Sequence, residues 1–161
     1  MKHRSDSGFS ITDIIMALSI ISVAIVGIML AQRNYIQSTS QVEVGLRALS
    51  LANSVMSTIR MHRFDENLNE PWDVTPGAEE GSADNYDDID DYAGVSWDFS
   101  GDGFLGFTIT SRVFNVDLNS SWLDSVDVRT SFKRIIVSVD HGVLNSPVVL
   151  SSVYAGIDGE E

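Results

Sequence analysis

A chain of 161 residues is long enough for one modest domain and an additional element, and too short for two sizeable cores. Its formal charge of −13 excludes polyanionic partners, because a surface this acidic repels nucleic acid and anionic lipid headgroups. Cysteine is absent, so no disulfide staples the loops and no thiol can serve as a nucleophile.

The first eight residues, MKHRSDSG, are polar and slightly basic, with Lys2 and Arg4 set against Asp6. That surplus of one positive charge leaves −14 on the remainder. Residues 14–32 then form a run of 19 without a charge, most of them Ile, Val, Leu, Met or Ala. At about 1.5 Å per helical residue the run approaches ~30 Å, the thickness of a bilayer's hydrocarbon core. A buried helix in a soluble protein rarely lacks a polar face altogether, so the run predicts a membrane span. No small-residue A-x-A site closes it, as an ordinary secretory signal requires. Lys2 and Arg4 oppose only Arg33, a modest orientation signal that keeps the leader cytoplasmic and places the acidic remainder outside the inner membrane.

Helical periodicity continues past the span. Val42, Leu46, Leu49, Ala52, Met56 and Ile59 recur at steps of three or four and predict one buried face, with Glu43, Arg47, Asn53 and Arg60 off it. No proline precedes Pro71. The pattern predicts a continuous helix from about residue 9 to about residue 62, apolar all round in its first half and amphipathic in its second.

Residues 64–106 change character. They hold Pro71, Pro76, six glycines and thirteen acids, without a single Lys or Arg. This reads as a long surface connection, ordered only where something ties it down. Residues 106–116 and 132–140 then read as strands. In the second, Ile135, Val137 and Val139 alternate with Arg134, Ser138 and Asp140, while Ile136 breaks the pattern. Residues 141–146, with Gly142 and Asn145, predict a turn, and 147–155 a returning strand.

One motif carries a functional signal. Gly8-Phe9-Ser10-Ile11-Thr12-Asp13, followed by Ile14-Ile15-Met16-Ala17-Leu18, resembles the processing signal of type IV prepilins and type II secretion pseudopilins. The matching signal covers about 25 residues at the N-terminus. It implies that a membrane-embedded prepilin peptidase cuts after Gly8 and methylates the new amine of Phe9. A glycine suits such a cut, because bare backbone enters a narrow site in extended form. The family places Glu at the fifth position of the trimmed chain, where this sequence has Asp13. A carboxylate at the start of a membrane span needs a partner. The family's filament implies that the partner is the terminal amine of an adjacent subunit. Asp13 also suits the positive end of a helix, although it is one methylene shorter than Glu.

Further on, Arg63-Phe64-Asp65-Glu66-Asn67 and Tyr86-Asp87-Asp88-Ile89-Asp90-Asp91-Tyr92 look like minor pilins of mannose-sensitive haemagglutinin-type pili and PilV-like subunits. Physically, Phe64 is placed to pack back on the helix end and Arg63 to pair with the acidic loop, which taken alone reads as solvated charge. Asp98, Ser100 and Asp102, followed by Gly103, have the alternate oxygen spacing that opens a calcium loop. The twelfth position is Ile109, so the closing bidentate carboxylate is missing, and Gly-Asp-Gly is also an ordinary tight turn. His3, His62 and His141 are scattered through leader, helix end and turn, in no grouping that suggests a triad.

The expected architecture is α+β: a leader (1–8), a transmembrane or filament-core helix (9–33), an amphipathic helix (34–63), and an acidic loop with a small antiparallel sheet outside the membrane (64–161). The expected function is that of a minor type IV pilin-like subunit of the bacterial inner membrane, single-pass with its C-terminal domain periplasmic before it enters a pilus. Its implied partners are the prepilin peptidase, other pilin subunits and an inner-membrane assembly platform. A type II secretion pseudopilin, and a membrane-tethered module binding calcium or a cationic ligand, are the alternatives. No catalysis, no obligatory cofactor and no nucleic-acid binding are expected.

Overall fold

The computed structural model describes residues 8, 10–67, 70–78, 82–99, 103–120 and 122–157. The chain divides into two compact units, Met1–Gln41 and Val42–Glu161, and helix α1 (Ile11–Arg60) runs through both.

Within the first unit α1 is long and apolar enough to cross a membrane, and no part of its most apolar stretch is buried. Its few polar side chains are satisfied internally. Ser19 Oγ donates to the Ile15 carbonyl at 2.8 Å, and Ser22 Oγ to the Leu18 carbonyl at 2.7 Å. That is the arrangement a hydrocarbon surrounding demands, since no water is present there to accept the proton.

In the second unit the buried face of α1 differs from the face predicted by periodicity. Ala48, Leu51, Ala52, Met56 and Ile59 are buried, whereas Val42 and Leu46 are 60% and 62% exposed and Leu49 lies at the margin. At about 100° per residue, Val42, Leu46 and Leu49 cluster roughly a quarter-turn away from the Ala48–Ala52–Ile59 line. A step of three or four fits both lines, so spacing alone merges them. Ala48 and Ala52, fully covered, leave no room for growth. Ala52→Leu should therefore cost ~1–3 kcal/mol through overpacking. Leu46→Ala should stay within about 0.5 kcal/mol. Chemical denaturation of the detergent-solubilised chain, followed by tryptophan fluorescence, separates the two.

Strands β1 (Ser96–Phe99), β2 (Phe107–Asn115), β3 (Phe132–His141) and β4 (Val148–Ala155) form one antiparallel sheet in the order β1-β2-β3-β4. The three long strands match the sequence expectation closely. β1 was absent from it, because Ser-Trp-Asp-Phe is too short to establish alternation within an acidic stretch. Period-two geometry sends Ile109 and Val113 of β2 and Ile135, Val137 and Val139 of β3 to the core. Ile136 is half-buried on the opposite face, which explains why it interrupts the apolar alternation. The same rule sends Lys133, two residues before Ile135, inward as well.

The connection after α1 is tied down far more than its composition suggests. Trp72, Asp65, Asp88, Ile89, Asp90, Asp91 and Tyr92 are all buried. Asn115 Nδ2 donates to the carbonyls of Asp73 and Val74 at 3.2 and 2.8 Å, and Ser111 Oγ to that of Tyr92 at 2.5 Å. The sheet therefore supplies the partners that a free loop would have sought in water.

Candidate functional site

At the N-terminal end, Gly8 is exposed and precedes the helix, while Phe9 lies outside the described residues. Ser10 caps α1: its Oγ accepts from the Thr12 backbone N–H at 3.3 Å. Reciprocally, Asp13 Oδ2 accepts from the Ser10 N–H at 3.1 Å. This is a capping box, with the carboxylate seated at the positive end of the helix. The shorter side chain of Asp is thus long enough to reach back over the first turn. A single peptide unit separates that contact from the bond after Gly8.

The second site lies in the C-terminal unit and is built around a lysine. Lys133, the only lysine after Lys2, has no exposed surface. Its Nζ donates to Asp65 Oδ2 at 2.9 Å, to Asp90 Oδ2 at 2.6 Å and to the Phe64 carbonyl at 2.9 Å. The ammonium sits 4.4 Å from the centroid of the Phe64 ring. Trp72 meets that ring edge-on at 4.9 Å and Tyr154 stacks beyond it at 6.1 Å. A Cβ on Gly156 would come within 2.8 Å of the Phe64 ring and 2.9 Å of Trp72, so only glycine lets β4 leave the sheet this close to the aromatic wall.

Three separate stretches of chain meet here. Asp65 comes from the helix exit, Asp90 from a 3-10 turn (Asp90–Tyr92), and Lys133 from the first inward position of β3. Arg63 aligns the first two. Its N–H donates to the Asp87 carbonyl at 3.3 Å, its own carbonyl accepts from Ile89 N–H at 2.9 Å, and its guanidinium pairs with the Asp87 carboxylate. The expected pairing of Arg63 with the acidic loop is present. The expected solvation of that loop is not: Asp88, Asp90 and Asp91 are all at least nine-tenths buried. Asp88 and Asp91 offset part of the cost by capping the loop's own backbone. Asp88 Oδ1 accepts from the N–H of Asp90 and Asp91, and Asp91 Oδ2 from those of Asp87 and Asp88.

The acids around Lys133 are differentiated. Burial raises the Asp65 carboxyl, but the Asp73 N–H, Lys133 and the Asn67 N–H outweigh it and hold the group below its usual value. Burial dominates at Asp90 and, with Asp88 and Asp65 nearby, outweighs Lys133 and pushes it up to about 7. Burial likewise raises Asp88. Asp65 therefore holds the negative charge opposite Lys133, and Asp90 is the acid that retains a proton near neutrality. Asp90 Oδ1 is buried without a hydrogen-bond partner among the described residues.

Asp98, on β1, has its Oδ1 engaged by Thr108 Oγ1 of β2 at 2.8 Å, while Ser100 and Asp102 lie outside the described residues. Among the described residues no group of three or more His, Asp or Glu side chains is arranged to hold a metal ion. His62 Nε2 lies 3.1 Å from the Tyr92 hydroxyl, and His141 packs against Phe107 at a centroid separation of 4.5 Å.

No family model matches the chain, and no curated protein or solved structure is significantly similar to it. The Lys133 cluster was not singled out from the sequence. A signal for it exists: a lone lysine in register with Ile135, Val137 and Val139 is aimed at a core, and a buried lysine needs acids. Which two of the thirteen acids answer is a matter of folding.

Proposed function

We propose that this chain is a minor type IV pilin-like subunit, anchored in the bacterial inner membrane, trimmed between Gly8 and Phe9, and then packed through α1 into a pilus of the mannose-sensitive haemagglutinin type. The observation that carries this reading is the start of α1. An exposed glycine is followed within three residues by a capped helix, an acid in its first turn, and a charge-free stretch that the rest of the chain leaves uncovered. Such a surface must be covered by lipid or by other helices. Exchanging one for the other leaves apolar burial nearly unchanged, so close packing and polar pairing supply the preference for the filament. Asp13 provides the pairing. Asp13 is exposed, its Oδ2 accepts from the Ser10 N–H, and this reading pairs its carboxylate with the methylated amine of a neighbouring Phe9.

The decisive test is the N-terminal mass of the protein recovered from cells that contain a prepilin peptidase. A chain beginning at methylated Phe9 supports the reading, and one still beginning at Met1 overturns it. Asp13→Ala should be trimmed normally but enter fibres at a reduced level, measured by immunoblotting sheared filaments against whole membranes. Undiminished incorporation would remove the pairing role.

A further inference from the structure

We propose that Lys133 and Asp90 become joined by an intramolecular amide (isopeptide) bond between Nζ and the Asp90 side-chain carboxyl, with Asp65 as the proton shuttle. The inference rests on geometry in the C-terminal unit and is independent of any role in a filament. An amine and a carboxyl condense when they are held in contact, kept from water and given a group to move the proton; this site meets all three conditions. Nζ stands 2.6 Å from Asp90 Oδ2, which brings the carboxyl carbon one bond beyond it into near-attack range, about 3–3.5 Å. The contact is fixed from both ends, by β3 and by the 3-10 turn that Asp88 and Asp91 cap. Phe64, Trp72 and Tyr154 wall it off, and neither Lys133 nor Asp90 has more than marginal exposure. Positioning of this kind reaches effective molarities of ~10⁵–10⁸ M, enough for a slow single-turnover condensation without an enzyme.

The step balances as follows. Lys133 passes a proton along its 2.9 Å hydrogen bond to the Asp65 carboxylate, freeing the Nζ lone pair. The pair attacks the Asp90 carboxyl carbon, which enters as the neutral acid because burial raises that group. A C–N bond forms, Asp65 returns its proton to the departing hydroxyl so that the C–OH bond breaks as water, and the second proton of Nζ passes to Asp65, leaving a neutral amide beside a protonated Asp65. No oxidant or reductant takes part. A cleft of about 60 Å³ lined by Arg63, Asp65, Asn67 and Trp72 among others borders the cluster at Asp65. Asp65 keeps the backbone N–H groups of Asn67 and Asp73 at 3.0 and 2.9 Å. A chain without cysteine thereby acquires a covalent staple from the 3-10 turn at Asp90 to the start of β3, restricting its unfolded state as a disulfide would.

The test is mass analysis of the full chain purified from membranes in detergent. The expected result is a mass one water below that of the linear chain, with a branched peptide joining Lys133 to Asp90 in the digest. Hydroxylamine treatment must leave that branch intact, because an Asp-Gly succinimide, such as one at Asp102–Gly103, loses the same water but is cleaved. Asp90→Asn should lose one ammonia instead of one water, since the same amine then displaces an amide nitrogen. Asp65→Asn should remain at linear mass. A protease-resistant wild-type chain at linear mass, yielding separate Lys133 and Asp90 peptides, overturns the proposal, and a linked Asp65→Asn chain overturns the shuttle.

Discussion

Lys133→Met is expected to destabilise the C-terminal unit by ~3–5 kcal/mol, the range found when one member of a buried ion pair is removed. Methionine fills nearly the same volume and still lies against the Phe64 ring, so little of the loss is cavity formation. The cost arises from what stays behind. Asp65 and Asp90 face one another in a dry, aromatic-walled space with no cation, and Asp88 stands close enough to raise Asp90 further. Each buried carboxylate then favours its protonated form, so the deficit relative to wild type shrinks as the pH is lowered and these groups become neutral. Urea titrations at several pH values, followed through the buried Trp72, measure both the size of the loss and its sign with pH. A deficit that stays constant as the medium is acidified would mean that lost packing, not uncompensated charge, is responsible. The direction is the same whether Nζ is paired or amide-linked, because methionine can do neither.

Gly8→Val should abolish trimming of the leader and, with it, entry into fibres. The branched side chain of valine puts bulk where cleavage after Gly8 requires bare, closely approached backbone, and no other glycine lies near the start of the apolar run to substitute for it. The untrimmed chain would keep Lys2 and Arg4 ahead of the apolar run and would lack the free amine that Asp13 is proposed to meet. Immunoblotting of membranes should show one band of the uncut length, and sheared filaments should contain none. Normal processing of this variant would contradict the Gly8–Phe9 assignment. A Cβ at Gly8 would meet nothing within 4 Å among the described residues, so the substitution introduces no clash there.

Local rules made the linear plan legible. Uncharged length identified a helix long and apolar enough to cross a membrane, period-two alternation identified β2, β3 and β4, and the absence of proline predicted one uninterrupted helix, which runs from Ile11 to Arg60. Each of these signals is written in consecutive residues, so no knowledge of distant partners is needed. The buried face of α1 was legible only in part. Ala52, Met56 and Ile59 are buried as expected, but Val42, Leu46 and Leu49 share their spacing, and only the placement of the sheet selects Ala48 and Leu51 instead.

By itself, then, the sequence determined where this chain is apolar, where it is helical and where its strands run, because periodicity and charge act between neighbours. Only the tertiary structure decided which acids are buried. Composition marks residues 64–106 as solvated, yet Asp65, Asp88, Asp90 and Asp91 are inside. They are held there by a lysine some forty to seventy positions further on and by backbone N–H groups that point inward only once the loop has closed. A carboxylate's preference for water is a property of the residue, but its pairing with an ammonium at hydrogen-bond distance is a property of the fold, and at this site the second outweighs the first.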